Sequence, residues 1–160
     1  MFRAMSNSLT STIAGVLSVP LVRLDPELPL PGYARPGDAG ADLVARHDAT
    51  IPAGGGRVLV PTGVAVAIPD GHCGLILPRS GLALQHGLTL LNAPGLIDAG
   101  YRGELKVLVL NTDPHLDAHL ERGERIAQLV IQEVVRVAFT VVEALGESER
   151  GHGGFGHTGR

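Results

Sequence analysis

The spacing of turn-forming residues constrains this chain more than any other feature. Its 22 glycines and 11 prolines are scattered between apolar runs rather than clustered. The runs are short, rich in Val, Ile and Leu, and recur roughly every 8–12 residues, the pattern of an all-β sandwich or barrel with frequent turns. Val19 to Leu24 reads as a first strand, and Pro26, Pro29, Pro31 and Pro36 then impose an extended, non-helical connection. Ala41 to Ala45, Cys73 to Leu77, Leu88 to Leu91, Glu104 to Leu110 and Val134 to Val142 are further strand expectations. Arg57 to Val60 and Gly63 to Ile68 form two more, separated by Pro61. Pro69-Asp70-Gly71 is a turn, because Pro fixes φ and Gly permits φ > 0. A single helical turn is expected after Ser80. Arg122 to Val135 carries both helical and strand signals, which periodicity alone does not separate.

Composition narrows the function. With 44% hydrophobic but only 3% aromatic residues, the core is built from aliphatic side chains. Cys73 is the lone cysteine, so neither an internal disulfide framework nor a multi-cysteine metal site is available, and a cytoplasmic setting is expected. No apolar stretch is long enough to span a bilayer, and Ile13 to Val19 lacks the flanks of a secretion signal. Residues 1–18 are expected to be a flexible extension, 19–145 a β domain and 146–160 a flexible Gly-rich arm. The formal net charge of −3 argues against a nucleic-acid binder held by overall basicity, so an anionic ligand needs local charge.

Five segments supply that chemistry. Ala34-Arg-Pro-Gly-Asp-Ala-Gly-Ala-Asp-Leu43 places Asp38 and Asp42 among glycines. Pro78-Arg-Ser-Gly-Leu-Ala83 presents a guanidinium, a hydroxyl and free backbone N–H groups together, a set suited to phosphate oxygens. Asn92-Ala-Pro-Gly-Leu-Ile-Asp-Ala-Gly-Tyr-Arg-Gly-Glu104 packs Asn92, Asp98, Tyr101 and Arg102 into a hairpin-like stretch. Arg122-Gly-Glu-Arg-Ile-Ala-Gln-Leu129 offers Arg125 and Gln128 to an anion. Arg150-Gly-His-Gly-Gly-Phe-Gly-His-Thr-Gly159 has backbone amides able to wrap a phosphate, without the Gly-Lys-Ser/Thr of a Walker loop.

In this order and spacing the five segments resemble the trimeric dUTPase family, from about residue 20 to the C-terminus. The resemblance implies a jelly-roll-like fold with one short helix, and a homotrimer with sites shared between subunits. It implies Mg²⁺-dependent hydrolysis of dUTP to dUMP and pyrophosphate, which limits uracil incorporation into DNA and supplies dUMP for dTMP synthesis. It also implies that Ile126 to Val130 is largely strand. On the same basis Asp98 matches the general base, and Tyr101 the residue under the deoxyribose that leaves no room for a 2′-hydroxyl. Asn92, Gly95 and Ile97 match uracil-side positions, and Lys106 a further substrate contact. Arg79, Ser80 and Gly81 match α/β-phosphate ligands, joined by Gln128 and Arg125. Arg150, Gly156 and Thr158 match the closing arm at the γ-phosphate, with Phe155 stacking on uracil. Asp42 matches the acid that holds Mg²⁺ through water. One departure is His157, where the family arm often carries Ser.

Two relatives of the same fold compete: a dCTP deaminase, for which Glu104 stands after the hairpin rather than facing the base, and a non-catalytic binding protein, which would lack Asp98 or Arg79. A zinc hydrolase is disfavoured, because Leu116 stands where His115-x-x-x-His119 needs a Glu.

Overall fold

A computed structural model describes residues 16–149 and 151–152. Ten strands and one helix follow in the order β1 (Leu21–Arg23), β2 (Ala41–Val44), β3 (Ala49–Ile51), β4 (Arg57–Val66), β5 (His72–Pro78), α1 (Ser80–His86), β6 (Leu88–Leu90), β7 (Gly95–Ile97), β8 (Glu104–Asn111), β9 (Ala118–Leu120) and β10 (Arg125–Glu133). They form two four-stranded sheets, β1-β4-β8-β6 and β2-β10-β5-β7, with a small β3-β9 pair. Every pairing is antiparallel. The inner faces share one aliphatic core: Val60, Val107 and Val109 come from one sheet, and Leu43, Ile76 and Leu129 from the other. Alternation along β8 shows the logic, with Leu105, Val107 and Val109 buried while Lys106 points out. No helix among the described residues is long and apolar enough to cross a membrane.

The all-β expectation, the helix after Ser80 and the strand implied for Ile126 to Val130 hold, while three other local readings change. Pro61 does not end a strand; β4 runs through it, and the register against β8 shifts between Pro61 and Ala65. A bulge tolerates the missing N–H where a regular ladder does not. Pairing decides the ambiguous segment: Arg125–Glu133 is a strand held between β2 and β5. The three-residue strands β3 and β9 were not expected, being too short for a periodic signal. Val134 to Val142 forms no strand. Its side chains are exposed, Phe139 at 94% and Val141 at 98%, because no strand of the same chain lies beside them.

Away from the core, ion pairs tie distant loops together. Arg122 donates to Asp25 at 2.7 Å, to Glu27 at 2.8 Å and to the Arg46 carbonyl at 2.7 Å. The Arg122 hydrogen bond, acting against burial, holds the Asp25 carboxyl below its usual range. A depressed carboxyl stabilises the fold above its unfolded value of about 3.9, and that stability is lost as pH falls through the lower folded value. The urea midpoint of the wild type is therefore expected to drop more steeply than that of Arg122→Met below about pH 4. Parallel drops would show that this pair supplies no acid-side stability.

Candidate active site

Three of the five segments meet on one sheet. Asp42 of β2 lies across from Gln128 of β10, and Gln128 lies across from Leu77 of β5. Pro78 ends β5, and Arg79 follows as the extended residue that opens α1. Asp42, Arg125, Gln128 and Arg79 are thus neighbours although 86 positions separate Asp42 from Gln128. The loop before β2 is pressed onto this group, since a Cβ on Gly40 would stand 2.9 Å from that of Gln128.

The cluster carries one carboxylate and two guanidiniums. Arg125 Nη1 donates to Asp42 Oδ2 at 3.0 Å, and Arg79 Nε stands 3.6 Å from Asp42 Oδ1. Arg79 Nη1 also donates to the Arg125 carbonyl at 2.6 Å. Asp42 is only 13% exposed, and its Oδ1 is shut away with no hydrogen-bond partner. The arginines are more open, Arg125 at 51%. Two cations on one anion leave a net positive patch, and open guanidiniums can turn toward an anion in bidentate fashion. Ser80 and Gly81 are exposed in the first turn of α1, where backbone N–H groups lack intrahelical partners. Asp38, by contrast, is a turn former: its Oδ2 accepts from the Arg35 N–H at 2.8 Å.

The third segment builds a separate feature. Pro94 follows a cis peptide bond, β7 pairs with β5, and the Tyr101 N–H closes a turn onto the Asp98 carbonyl at 3.0 Å. Asp98 is exposed at the start of that turn, beside a hollow lined by His72, Cys73, Leu96 and Arg136. Asn92 is exposed, Gly95 is buried and Ile97 is half-buried. The Arg102 guanidinium braces the turn by donating to the Ala99 and Tyr101 carbonyls at 2.5 and 2.8 Å.

Strand register shows that one chain does not bring Asp98 to the arginines. Gly95 pairs with Ile76 and Ile97 with Gly74. The hairpin therefore carries Asp98 toward the start of β5, while Arg79 leaves its other end. In that register Asp98 falls opposite Cys73, so at about 3.3 Å per residue its backbone and that of Arg79 are separated by roughly 20 Å along the sheet. Each chain presents the cluster and the hairpin as two separate features. Lys106 joins neither: it lies on the outer face of the other sheet, opposite Pro61. Arg150, Phe155, Gly156, His157 and Thr158 lie outside the described residues.

Sequence reasoning missed the role of Glu104. Its Oε1 accepts from the Gly63 N–H at 2.9 Å and from Arg46 Nη1 at 3.3 Å. Nothing in the linear order signals this, since Gly63 and Glu104 are 41 positions apart. His119 Nδ1 stands 3.0 Å from the Thr50 hydroxyl, and His115 sits in a turn capped by Asp113.

Known proteins of one family are similar to this chain. A family model described as dUTPase matches residues 26–159. The chain is 60% identical over 149 residues to a deoxyuridine 5'-triphosphate nucleotidohydrolase of Thermobifida fusca, covering 93% of this chain and 83% of the relative. It is 58% identical over 130 residues to the enzyme of the same name from Cutibacterium acnes, covering 81% and 85%. A solved structure of Staphylococcus bacteriophage 80alpha dUTPase with dUPNHPP is similar at a TM-score of 0.79 and 28% identity, over 89% of this chain and 99% of that one.

Proposed function

The chain belongs to the dUTPase family and hydrolyses dUTP to dUMP and pyrophosphate; from that premise we propose that Asp98 activates the attacking water and that the Asp42, Arg79 and Arg125 cluster receives the triphosphate. The observation that carries this reading is the cluster itself: three separate segments bring an exposed Arg125, a half-buried Arg79 and the Asp42 carboxylate into one patch of net positive charge. A triphosphate repels an incoming nucleophile, and arginines fixed beside it relieve that repulsion as charge moves onto the leaving group. Water oxygen attacks the α-phosphorus while Asp98 takes a proton from it. The bond from the α-phosphorus to the bridging oxygen breaks, and pyrophosphate leaves with the electron pair.

Arg79, Arg125, Ser80, Gly81 and Gln128 line the phosphate half. Asn92, Gly95 and Ile97 in the hairpin face the base, and Tyr101 lies under the deoxyribose. Arg150, Gly156 and Thr158 of the arm close on the γ-phosphate, with Phe155 over uracil and Lys106 as an outlying substrate contact. A Mg²⁺ ion fits these residues if it is held through water. Asp42 supplies a single carboxylate with one unpartnered oxygen, and no group of three or more acidic, His or Cys side chains that could cage an ion occurs among the described residues. That arrangement suits an ion that keeps its waters and takes phosphate oxygens. When bound, it neutralises charge on the triphosphate.

A homotrimer with shared sites is the assembly we propose. Two features support it. The general base and the phosphate cluster are half-sites on one chain, and residues after β10 project Val135, Val137, Phe139 and Val141 into solvent. An arm of this kind needs a second copy to cover it. The test of the reaction is incubation with Mg²⁺ and, separately, dUTP, dCTP, dTTP and UTP, with products resolved by chromatography. Release of dUMP and pyrophosphate from dUTP alone, stopped by EDTA, is the expected result. Deaminated product from dCTP would move the protein to the deaminase branch, and binding without turnover would make it a binding protein.

A further inference from the structure

Tyr101 is held by two contacts that do not involve substrate. Its hydroxyl donates to the Glu104 carbonyl at 3.0 Å. Its ring lies so close over Gly103 that a Cβ there would stand 2.5 Å from the hydroxyl oxygen. The ring is therefore folded back onto the root of β8, and its position depends on how firmly that root is fixed.

The Glu104 side chain does the fixing. It is 16% exposed, and its Oε1 receives both the Gly63 N–H and Arg46 Nη1. Gly63 sits at φ +75° inside the β4 bulge, where a side chain would press on Asp25 and Leu28. The bulge thus aims an N–H at Glu104 that a regular ladder would have spent on β8. Arg46 stands 3.6 Å from Asp25, which Arg122 grips from the other side. A chain of charge-assisted contacts runs from the loop before β2 to the turn beneath the sugar.

We propose that Glu104 is a positioning residue for sugar selection: it locks the first residue of β8, and through its own carbonyl locks Tyr101 at the height that rejects a 2′-hydroxyl. This rests on the reading of Tyr101 as the residue beneath the deoxyribose. Selection of this kind depends on a wall that does not yield, and a tyrosine freed to move by a fraction of an ångström admits the extra oxygen.

The test measures kcat and KM for both dUTP and UTP in the wild type and in Glu104→Ala, Glu104→Gln and Tyr101→Phe, with trimer content and melting temperature as controls. The preference for dUTP, as the ratio of the two kcat/KM values, is expected to fall about tenfold in Glu104→Ala, the effect of one lost charge-assisted hydrogen bond. Glu104→Gln keeps an acceptor for Gly63 and is expected to recover most of the preference. Tyr101→Phe keeps the ring but loses the hydroxyl, so it should lower the preference similarly, and combining it with Glu104→Ala should add little. An unchanged preference in folded Glu104→Ala, or fully additive effects in the double variant, would overturn the proposal while leaving the dUTPase reading intact. If Glu104→Ala does not fold, Tyr101→Phe decides alone, and an unchanged preference in that variant would overturn the proposal. A wild type inactive on dUTP would overturn both.

Discussion

Asp98→Asn is expected to lower turnover of dUTP by about 10²–10⁴-fold, the usual effect of removing a general base, while leaving the affinity for dUTP nearly unchanged. The substitution is isosteric and the side chain is exposed. The turn at Asp98 is closed by its backbone carbonyl, which Asn also supplies. Folding stability should therefore stay within about 0.5 kcal/mol of the wild type, as for other exposed sites without partners. Pyrophosphate release under saturating dUTP measures the first effect, and equilibrium binding to the variant measures the second. Loss of binding in parallel with turnover would mean that Asp98 holds substrate rather than activating water. Retention of more than about a tenth of the wild-type rate would remove it from the role of base altogether.

The turn that carries Asp98 was legible because it is local. Pro94, Gly95, Gly100 and Gly103 punctuate a stretch short enough to be read as a hairpin, and the structure closes it between Asp98 and Tyr101. The cluster of Asp42, Arg79 and Arg125 was legible only as separate pieces. That Asp42 faces Gln128, and that Arg79 and Arg125 share one carboxylate, depends on which strands become neighbours, and β2, β10 and β5 pair across the length of the chain. Local propensity carries no information about such pairing. The same limit explains Glu104, whose partners Gly63 and Arg46 come from β4 and from the connection after β2. Val134 to Val142 shows the converse case. Its β-branched residues do favour a strand, but a strand needs a neighbour, and these side chains are exposed in a single chain.

The separation of the half-sites leads to a mixing prediction that no single-chain site can satisfy. Arg79→Ala removes a guanidinium from the phosphate cluster and is expected to reduce turnover by about 10²–10³-fold, as removal of one preorganised donor to a charged transition state does. Asp98→Asn is disabled on the other half. In a shared site the base comes from one subunit and Arg79 from another. Trimers reassembled from equal amounts of the two variants therefore contain sites in which both residues are intact. With random assembly these are about a quarter of all sites, because each of the two required residues is present with a chance of one half. Activity per subunit should rise from about 1% or less in either parent toward about a quarter of the wild type. The measurement is dUTP turnover before and after co-refolding, with gel filtration to confirm that both parents and the mixture assemble alike. If Asp98 and Arg79 of one chain act on the same nucleotide, every site in every mixed trimer carries one lesion, and mixing restores nothing. The roughly 20 Å that β5 places between them argues for recovery: a base that must touch the attacking water cannot also stand a strand's length from the arginines that receive the phosphates.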